Sequence, residues 1–201
     1  MTKNEIQEQR MRGYFIEATR ELLKAEGLKS VSVRSIAEKA GYSYATLYNY
    51  FRDVKELVFE CVRGFSEECV ASVVERTASI PPGEEGLRAR LRAWALYFAE
   101  YPGVFELFYL ERLNDLGNRH PSVNIIWTLP DRLCAADWER LGEEGLPSSR
   151  AHDLMEAVKY EITGMLLFYL NRGKPSRFDG FAELLDARIA KTLTPPHHPL
   201  T

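Results

Sequence analysis

Ser32-Val33-Arg34-Ser35-Ile36-Ala37-Glu38-Lys39-Ala40-Gly41-Tyr42-Ser43-Tyr44-Ala45-Thr46-Leu47-Tyr48-Asn49-Tyr50-Phe51 reads as two short helices joined by a tight turn. Ser32 is suited to cap the first, because its hydroxyl can accept from the free N–H groups of an opening turn. Ile36, Ala37 and Ala40 give that helix an apolar face. Gly41 then ends it, where a left-handed residue carries no Cβ penalty. Ser43 offers a second cap two residues later, and Leu47 and Phe51 repeat at i and i+4. A helix this short cannot bury itself. Its other face, with Tyr44, Thr46, Tyr48, Asn49 and Tyr50, carries hydroxyls and an amide, the make-up of a helix that lies in a DNA major groove.

The segment resembles the DNA-binding domain of the tetracycline-repressor-like (TetR) family of bacterial transcription regulators. That motif runs roughly S/T-x-R-x-I-A-x-x-A-G-x-S-x-A/G-T-L-Y-x-Y-F. Arg34, Ile36, Ala37, Ala40, Gly41, Ser43, Ala45, Thr46, Leu47, Tyr48, Tyr50 and Phe51 match it, over about the first quarter of the chain. The resemblance implies that Tyr44, Ala45 and Thr46, following Ser43, face base edges or the flanking backbone. It places the hydroxyls of Tyr48 and Tyr50 on phosphates and lets Arg34 reach another. Asn49 can pair with adenine only if its side chain enters the groove. One position departs from the pattern. Many members carry Lys directly after the residue that caps the next helix, where this chain has Val54. Lys55 is displaced by one residue, a rotation of about 100°, and Arg52 is the residue placed to compensate.

The net charge of −3 does not by itself suit a nucleic-acid partner. Divided, it does: residues 1–52 hold nine Lys/Arg against six Glu, leaving the remainder acidic. A basic head can approach phosphate while an acidic body limits indiscriminate binding. Lys3, Arg10 and Arg12, early in the first helix, are further candidates for phosphate contact. At 201 residues with 45% hydrophobic content, the chain has ample material for a core. No apolar run reaches the length of a membrane span. The start Met1-Thr2-Lys3-Asn4-Glu5 opens into a polar helix rather than a signal peptide. Cys61, Cys69 and Cys134 are odd in number and lack C-x-x-C spacing, so they read as reduced, buried thiols of a cytoplasmic protein. A redox switch through Cys61 and Cys69 is the minor alternative.

The rest of the chain reads as helix throughout, giving an all-α fold of about nine helices. A first helix is expected from Ile6 to Glu26, with Met11, Tyr14, Phe15, Ala18, Leu22 and Ala25 as its stripe. Asp53-Val54-Lys55-Glu56 resembles a capping box. It opens a long connector helix to about Ser79, with Gly64 as a point of close packing. Pro81-Pro82-Gly83 stops that helix. The expected division is a three-helix head at 1–53, a body at 54–193 beginning with the connector, and a disordered tail at 194–201.

Within the body, Trp94, Tyr97, Phe98 and Tyr101 lie on a helix ended by Pro102-Gly103. Phe105, Phe108 and Tyr109 follow on a buried segment, then Trp127 on a helix kinked at Pro130, with Phe168 near the end. By the resemblance, these aromatics line a pocket for a small, hydrophobic or aromatic effector. Glu106, Glu111 and Glu161 are the carboxylates that could answer a cationic one. The last two helices read as a dimer interface. Val158, Ile162, Met165 and Tyr169 face their mates from one, and Phe181, Leu185, Arg188 and Ile189 from the other, with Gly164 permitting close approach. Such a dimer would present two heads to successive major grooves roughly 34–36 Å apart.

No catalytic or metal-binding arrangement and no cofactor motif is present. His120, His152, His197 and His198 make no metal spacing with the cysteines. Ser148, Ser149 and His152 read as a helix start. The expectation is therefore a homodimeric, effector-responsive DNA-binding regulator, most naturally a repressor, and not an enzyme. A helical small-molecule or partner-binding protein without DNA recognition is the alternative, supported by Val54 and the acidic net charge.

Overall fold

The computed structural model describes residues 2–110 and 121–194. Within them the chain forms ten α-helices and no strand: α1 Lys3–Glu26, α2 Val33–Ala40, α3 Tyr44–Tyr48, α4 Val54–Arg76, α5 Glu84–Glu100, α6 Pro102–Phe105, α7 Pro121–Leu133, α8 Ala135–Glu143, α9 Ser148–Arg172 and α10 Phe178–Leu193. No helix among these residues is long and apolar enough to cross a membrane. Packing gathers the chain into two compact units, one of Met1–Glu68 with Tyr101–Trp127, the other of Cys69–Glu100 with Thr128–Thr201. This division falls inside α4 rather than ahead of it. Of the expected tail at 194–201, residues 195–201 lie outside the described residues, as do Glu111 and His120.

In the first unit, α1 starts three residues earlier than its apolar pattern suggests. Thr2 and Glu5 form a reciprocal capping box, with Thr2 N–H donating to Glu5 Oε2 over 2.8 Å. The buried stripe is Phe15, Ala18, Thr19 and Leu23; Leu22 is only partly buried and Ala25 and Tyr14 are exposed. An offset of one residue, about 100° around the helix, is invisible to a periodicity that counts Leu22 and Leu23 alike. Phe15, Ile36, Leu47, Phe51 and Leu57 form one buried cluster joining α1, α2, α3 and the start of α4. Val54 packs against that cluster. The position where the family pattern has Lys therefore serves the core of the head here.

A Cβ at Gly64 would meet the Arg20 guanidinium first, at 3.6 Å, an ordinary contact. The tight approach is elsewhere, at Gly103. There a Cβ would overlap the Leu23 carbonyl oxygen and lie 3.2 Å from Leu23 C and 3.3 Å from Gly27 Cα. Pro102 does not simply end α5; it opens α6 at its first helical position, where its missing N–H costs nothing. The segment Glu106–Leu110 then widens into a π-helical turn. Its Leu107 and Phe108 are buried as expected, whereas Leu110 is exposed.

The second unit packs α5 against α8, α9 and α10. Pro130 sits inside α7 without ending it, and the chain breaks at Cys134 instead, which carries Trp138 onto a separate helix α8. Asp137 of α8 is fully buried and accepts from the Gly83 N–H (3.1 Å) and from Arg90 Nη1 (2.7 Å). Arg90 also donates to the Ile80 carbonyl. One carboxylate thereby pins the turn after α4 to α8, and burial pushes its pKa up from the usual range. Replacing Asp137 with Ala strands the Gly83 N–H and the Arg90 charge, and should cost about 2–3 kcal/mol in chemical denaturation. Asp137→Asn, which retains an acceptor oxygen, should cost about half as much. Equal losses in the two variants would show that the charge, not the hydrogen bond to the turn, holds the contact.

Candidate nucleic-acid interface

Caps define the two short helices of the head. Ser32 Oγ accepts from Ser35 N–H over 3.1 Å, and Ser35 Oγ answers by accepting from Ser32 N–H over 2.9 Å. Gly41 ends α2 with φ 76° and ψ 26°. Its N–H bonds Glu38 O, and Tyr42 N–H bonds Ala37 O, the pair of contacts that closes a left-handed helix end. Ser43 then caps α3, accepting from Thr46 N–H over 3.1 Å. The turn between the two helices is thus closed from both sides, and α3 is only five residues long.

Of α3, Leu47 alone is buried. Tyr44 is 67% exposed and Tyr48 52%. Ser43, Ala45 and Asn49 are exposed with them, and Thr46 and Tyr50 are half-buried. Thr46 is the most constrained of the set, its hydroxyl lying 2.8 Å from Ser43 Oγ. Tyr50 leans on the core, its ring 6.3 Å from that of Phe15. Arg34 is exposed on α2 and Lys55 on α4. The Arg52 side chain is 87% exposed, with a long ion pair to Asp53 at 3.6 Å. All ten of the expected contact residues thus belong to the first unit, and none is buried.

Several basic residues of the head are engaged within the protein, Lys39 and Arg12 among them. Lys39 Nζ lies 2.7 Å from Glu21 Oε2, and that hydrogen bond raises its pKa. Arg12, a candidate phosphate contact, is turned inward. Its guanidinium lies 4.2 Å over the Phe51 ring, donates to the Tyr50 carbonyl and pairs with Glu56 and Glu60. Glu56 does reach back as a capping box requires, but to the Arg52 N–H (2.8 Å), one residue earlier than Asp53. Asp53 Oδ1 accepts from Glu56 N–H over 2.8 Å as expected.

The expected effector aromatics divide between the units. Tyr101, Phe105, Phe108, Tyr109 and Trp127 belong to the first, and Trp94, Tyr97, Phe98 and Phe168 to the second. Trp94, Tyr97, Phe98, Phe105 and Phe108 are buried, and the Trp94 indole N–H is buried with no acceptor among the described residues. Two of the nine stand apart. Trp127 is 48% exposed and Phe168 59%, so neither is enclosed. Of the carboxylates, Glu161 is already held by Arg188 Nε (2.5 Å) and the Thr192 hydroxyl. The cysteines fit buried thiols: Cys61 and Cys69 lie eight residues apart on α4, a rise of about 12 Å, beyond disulfide reach. Burial pushes the Cys61 pKa up to about 12, which keeps it protonated.

The expected dimer residues divide between the inside of the chain and its surface. Val158, Ile162, Phe181, Leu185 and Ile189 are 0–3% exposed within a single chain. They lie on α9 and α10, which pack on each other and on α5. Tyr169 stacks on Phe181 at 4.3 Å, also within the chain. Periodicity located an apolar row but could not say whether a neighbouring helix of the same chain covers it. What stays open is a groove on the outer face, lined by Tyr160, Gly164, Met165, Phe168, Leu184 and Arg188 among others. Tyr160 is 63% exposed there and Leu184 42%. Gly164 has nothing within 4 Å of its side-chain position.

Residues 15–61 match the family described as bacterial regulatory proteins, tetR family. The chain is 27% identical over 119 residues to the HTH-type transcriptional regulator BetI of Escherichia coli O45:K1, covering 51% of this chain and 61% of that protein. That match therefore spans less than two thirds of the relative's length. The BetI of Klebsiella pneumoniae (strain 342) is 22% identical over 199 residues, covering 91% of this chain and 89% of its own. A crystal structure from Saccharomonospora viridis, in complex with choline, superposes with a TM-score of 0.70 at 19% identity, covering 90% and 96% of the two chains. The same helical fold, head included, is common to both.

Proposed function

Since the chain belongs to the TetR family of bacterial transcription regulators, we propose that it acts as a homodimeric repressor, binding a quasi-palindromic operator and released by a small effector. The observation that carries this reading is the outer face of α3. Tyr44 and Tyr48 are exposed, with Thr46 half-buried, on a helix whose one buried residue, Leu47, anchors it to the head, and Asn49 is exposed just beyond its end. Tyr44, Ala45, Thr46 and Asn49 read the groove. Tyr48, Tyr50, Arg34, Arg52 and Lys55 hold the flanking phosphates, with Ser43 positioning the helix start. Val54, packed in the core, leaves the phosphate role at the connector to Arg52 and Lys55.

Dimerisation uses the outer face of α9 and α10, where Tyr160, Phe168 and Leu184 stand exposed around Gly164. The effector binds among the buried aromatics of the second unit, Trp94, Tyr97 and Phe98, and a group that accepts from the Trp94 indole N–H fits there, since a buried donor with no acceptor among the described residues is costly. The choline bound by the Saccharomonospora viridis protein favours a small cation among the candidates, because aromatic faces attract quaternary ammonium groups. Binding shifts the connector α4 and with it the head. By linkage, operator and effector weaken each other by the same factor.

The test is selection of the purified protein against a random duplex library, with titration of the recovered site at several salt concentrations. An inverted repeat with half-sites about 34–36 Å apart is expected. Tyr48→Phe and Thr46→Ala should each weaken that site by roughly 5- to 30-fold, about 1–2 kcal/mol, with thermal stability nearly unchanged. Recovery of no motif, with equal weak binding to all duplexes, would remove the reading.

A further inference from the structure

We propose that Arg12 is a positioning residue for operator recognition: it locks the end of the recognition helix α3 to the first turn of α4 and makes no phosphate contact itself. The inference rests on the operator-binding reading above. Its ground is the joint at residues 50–53, between the two helices. Tyr50 lies beyond the end of α3, so its carbonyl has no helical partner. Arg12 Nη1 supplies the donor. Arg12 Nη2 lies 3.4 Å from Glu56 Oε1 and 3.8 Å from Glu60 Oε1, both on α4. The Cζ of the same guanidinium lies 4.2 Å from the centroid of Phe51, which is 1% exposed. Glu56 completes the arrangement, its second oxygen accepting from Arg52 N–H over 2.8 Å. One cation from α1 and one carboxylate from α4 thus fix Tyr50, Phe51 and Arg52 in succession.

The chemistry requires arginine. Its rigid fork serves a carbonyl and a carboxylate at once while its face stacks on an aromatic ring; an ammonium offers no plane and no fork. Two facing carboxylates also neutralise the charge, so Arg12 adds little to the attraction for phosphate. A five-residue helix has no stability of its own. Where α3 points is therefore decided at its ends, by Ser43 at one and by this clamp at the other.

Three variants test the proposal: Arg12→Met keeps a stem over Phe51 without the fork, Arg12→Lys keeps the charge without the fork, and Glu56→Gln keeps an acceptor for Arg52 N–H. Each is titrated against the site selected by the wild-type protein and against a random-sequence duplex, at several salt concentrations and well below its melting temperature. Arg12→Met should lose about 10-fold or more on the selected site and less than about 2-fold on the random one, with an unchanged salt slope. Arg12→Lys should not rescue it. Glu56→Gln should show a smaller loss of the same kind, and the double variant with Arg12→Met should be no worse than Arg12→Met alone. Uniform weakening on both duplexes with a salt slope reduced by about 1 would make Arg12 a phosphate contact and overturn the proposal. So would wild-type discrimination between the two duplexes in a variant whose melting temperature has fallen, since that is an ion pair of structural value only. If Arg12→Met does not fold, the discrimination ratio of Glu56→Gln decides by the same criteria. A wild-type protein that selects no site removes the regulator reading and this proposal with it.

Discussion

Phe15→Ala should destabilise the head by about 3–5 kcal/mol, the range for truncating a fully buried aromatic ring. Phe15 is completely buried, and three rings surround it: Tyr42 at 5.7 Å, Tyr50 at 6.3 Å and Phe51 at 6.4 Å, the last edge-on. Edge-to-face and offset pairs of this kind add about 0.5–1.5 kcal/mol each beyond the area they bury. Because Ile36 of α2, Leu47 of α3 and Leu57 of α4 belong to the same cluster, the cavity opens where all four helices of the head meet. Neither α2 nor α3 is long enough to persist alone. Hydrogen exchange should therefore show the α2 and α3 amides losing protection together. Phe15→Leu, which refills most of the space, should cost about 1–1.5 kcal/mol. Protection unchanged in Phe15→Ala would mean that the head is held mainly by its caps and ion pairs.

Gly103→Ala is the second large effect, at about 3 kcal/mol. The added methyl would collide with the Leu23 carbonyl oxygen and press on Leu23 C and Gly27 Cα. These are backbone atoms at the end of α1, where Leu23 O also accepts from Gly27 N–H over 3.1 Å. A side chain could rotate away; a helix terminus cannot. The first turn of α6 must back off from α1, loosening the packing of both. Gly13→Ala is the matched control. Gly13 lies inside α1 with nothing within 4 Å of its side-chain position, so alanine there should be neutral or stabilise by up to about 1 kcal/mol. Urea denaturation of the two variants side by side is decisive: midpoints that move in the same direction would show that the α1–α6 contact yields at little cost.

Gly103 also shows where sequence reading stops. Helix ends were legible because their signals are local: Ser32, Gly41, Ser43 and Asp53 cap or close their helices within a few residues. The fold class was legible because helical period recurs along the chain. Pro102-Gly103 looks like any helix stop, and the reason for its glycine lies some eighty positions back, in α1. Arg12 is the same kind of case at the interface. As a cation near the start of a basic head it reads as a phosphate contact, and only the meeting of α1 with Phe51 and Glu56 turns it inward. The last two helices are a different case. Val158, Ile162, Phe181 and Leu185 carry the apolar period of a covered face, read as a dimer interface, but the period does not name the surface that covers it. The residues left open, Tyr160 and Phe168, carry no periodic signal that separates them from solvent-facing positions.

The construction of α3 bears on how such a protein can change its target. Leu47 is the one position of this helix that the core requires, and Ser43 and the joint after Tyr48 hold its two ends. Positions 44, 45, 48 and 49 project from the scaffold without supporting it. Substitutions there can accumulate with almost no penalty in fold stability, so new binding preferences are open to drift and to a combinatorial library alike. The head is a frame with an exchangeable reading surface, and the residues that make the frame rigid are the ones that leave that surface free to vary.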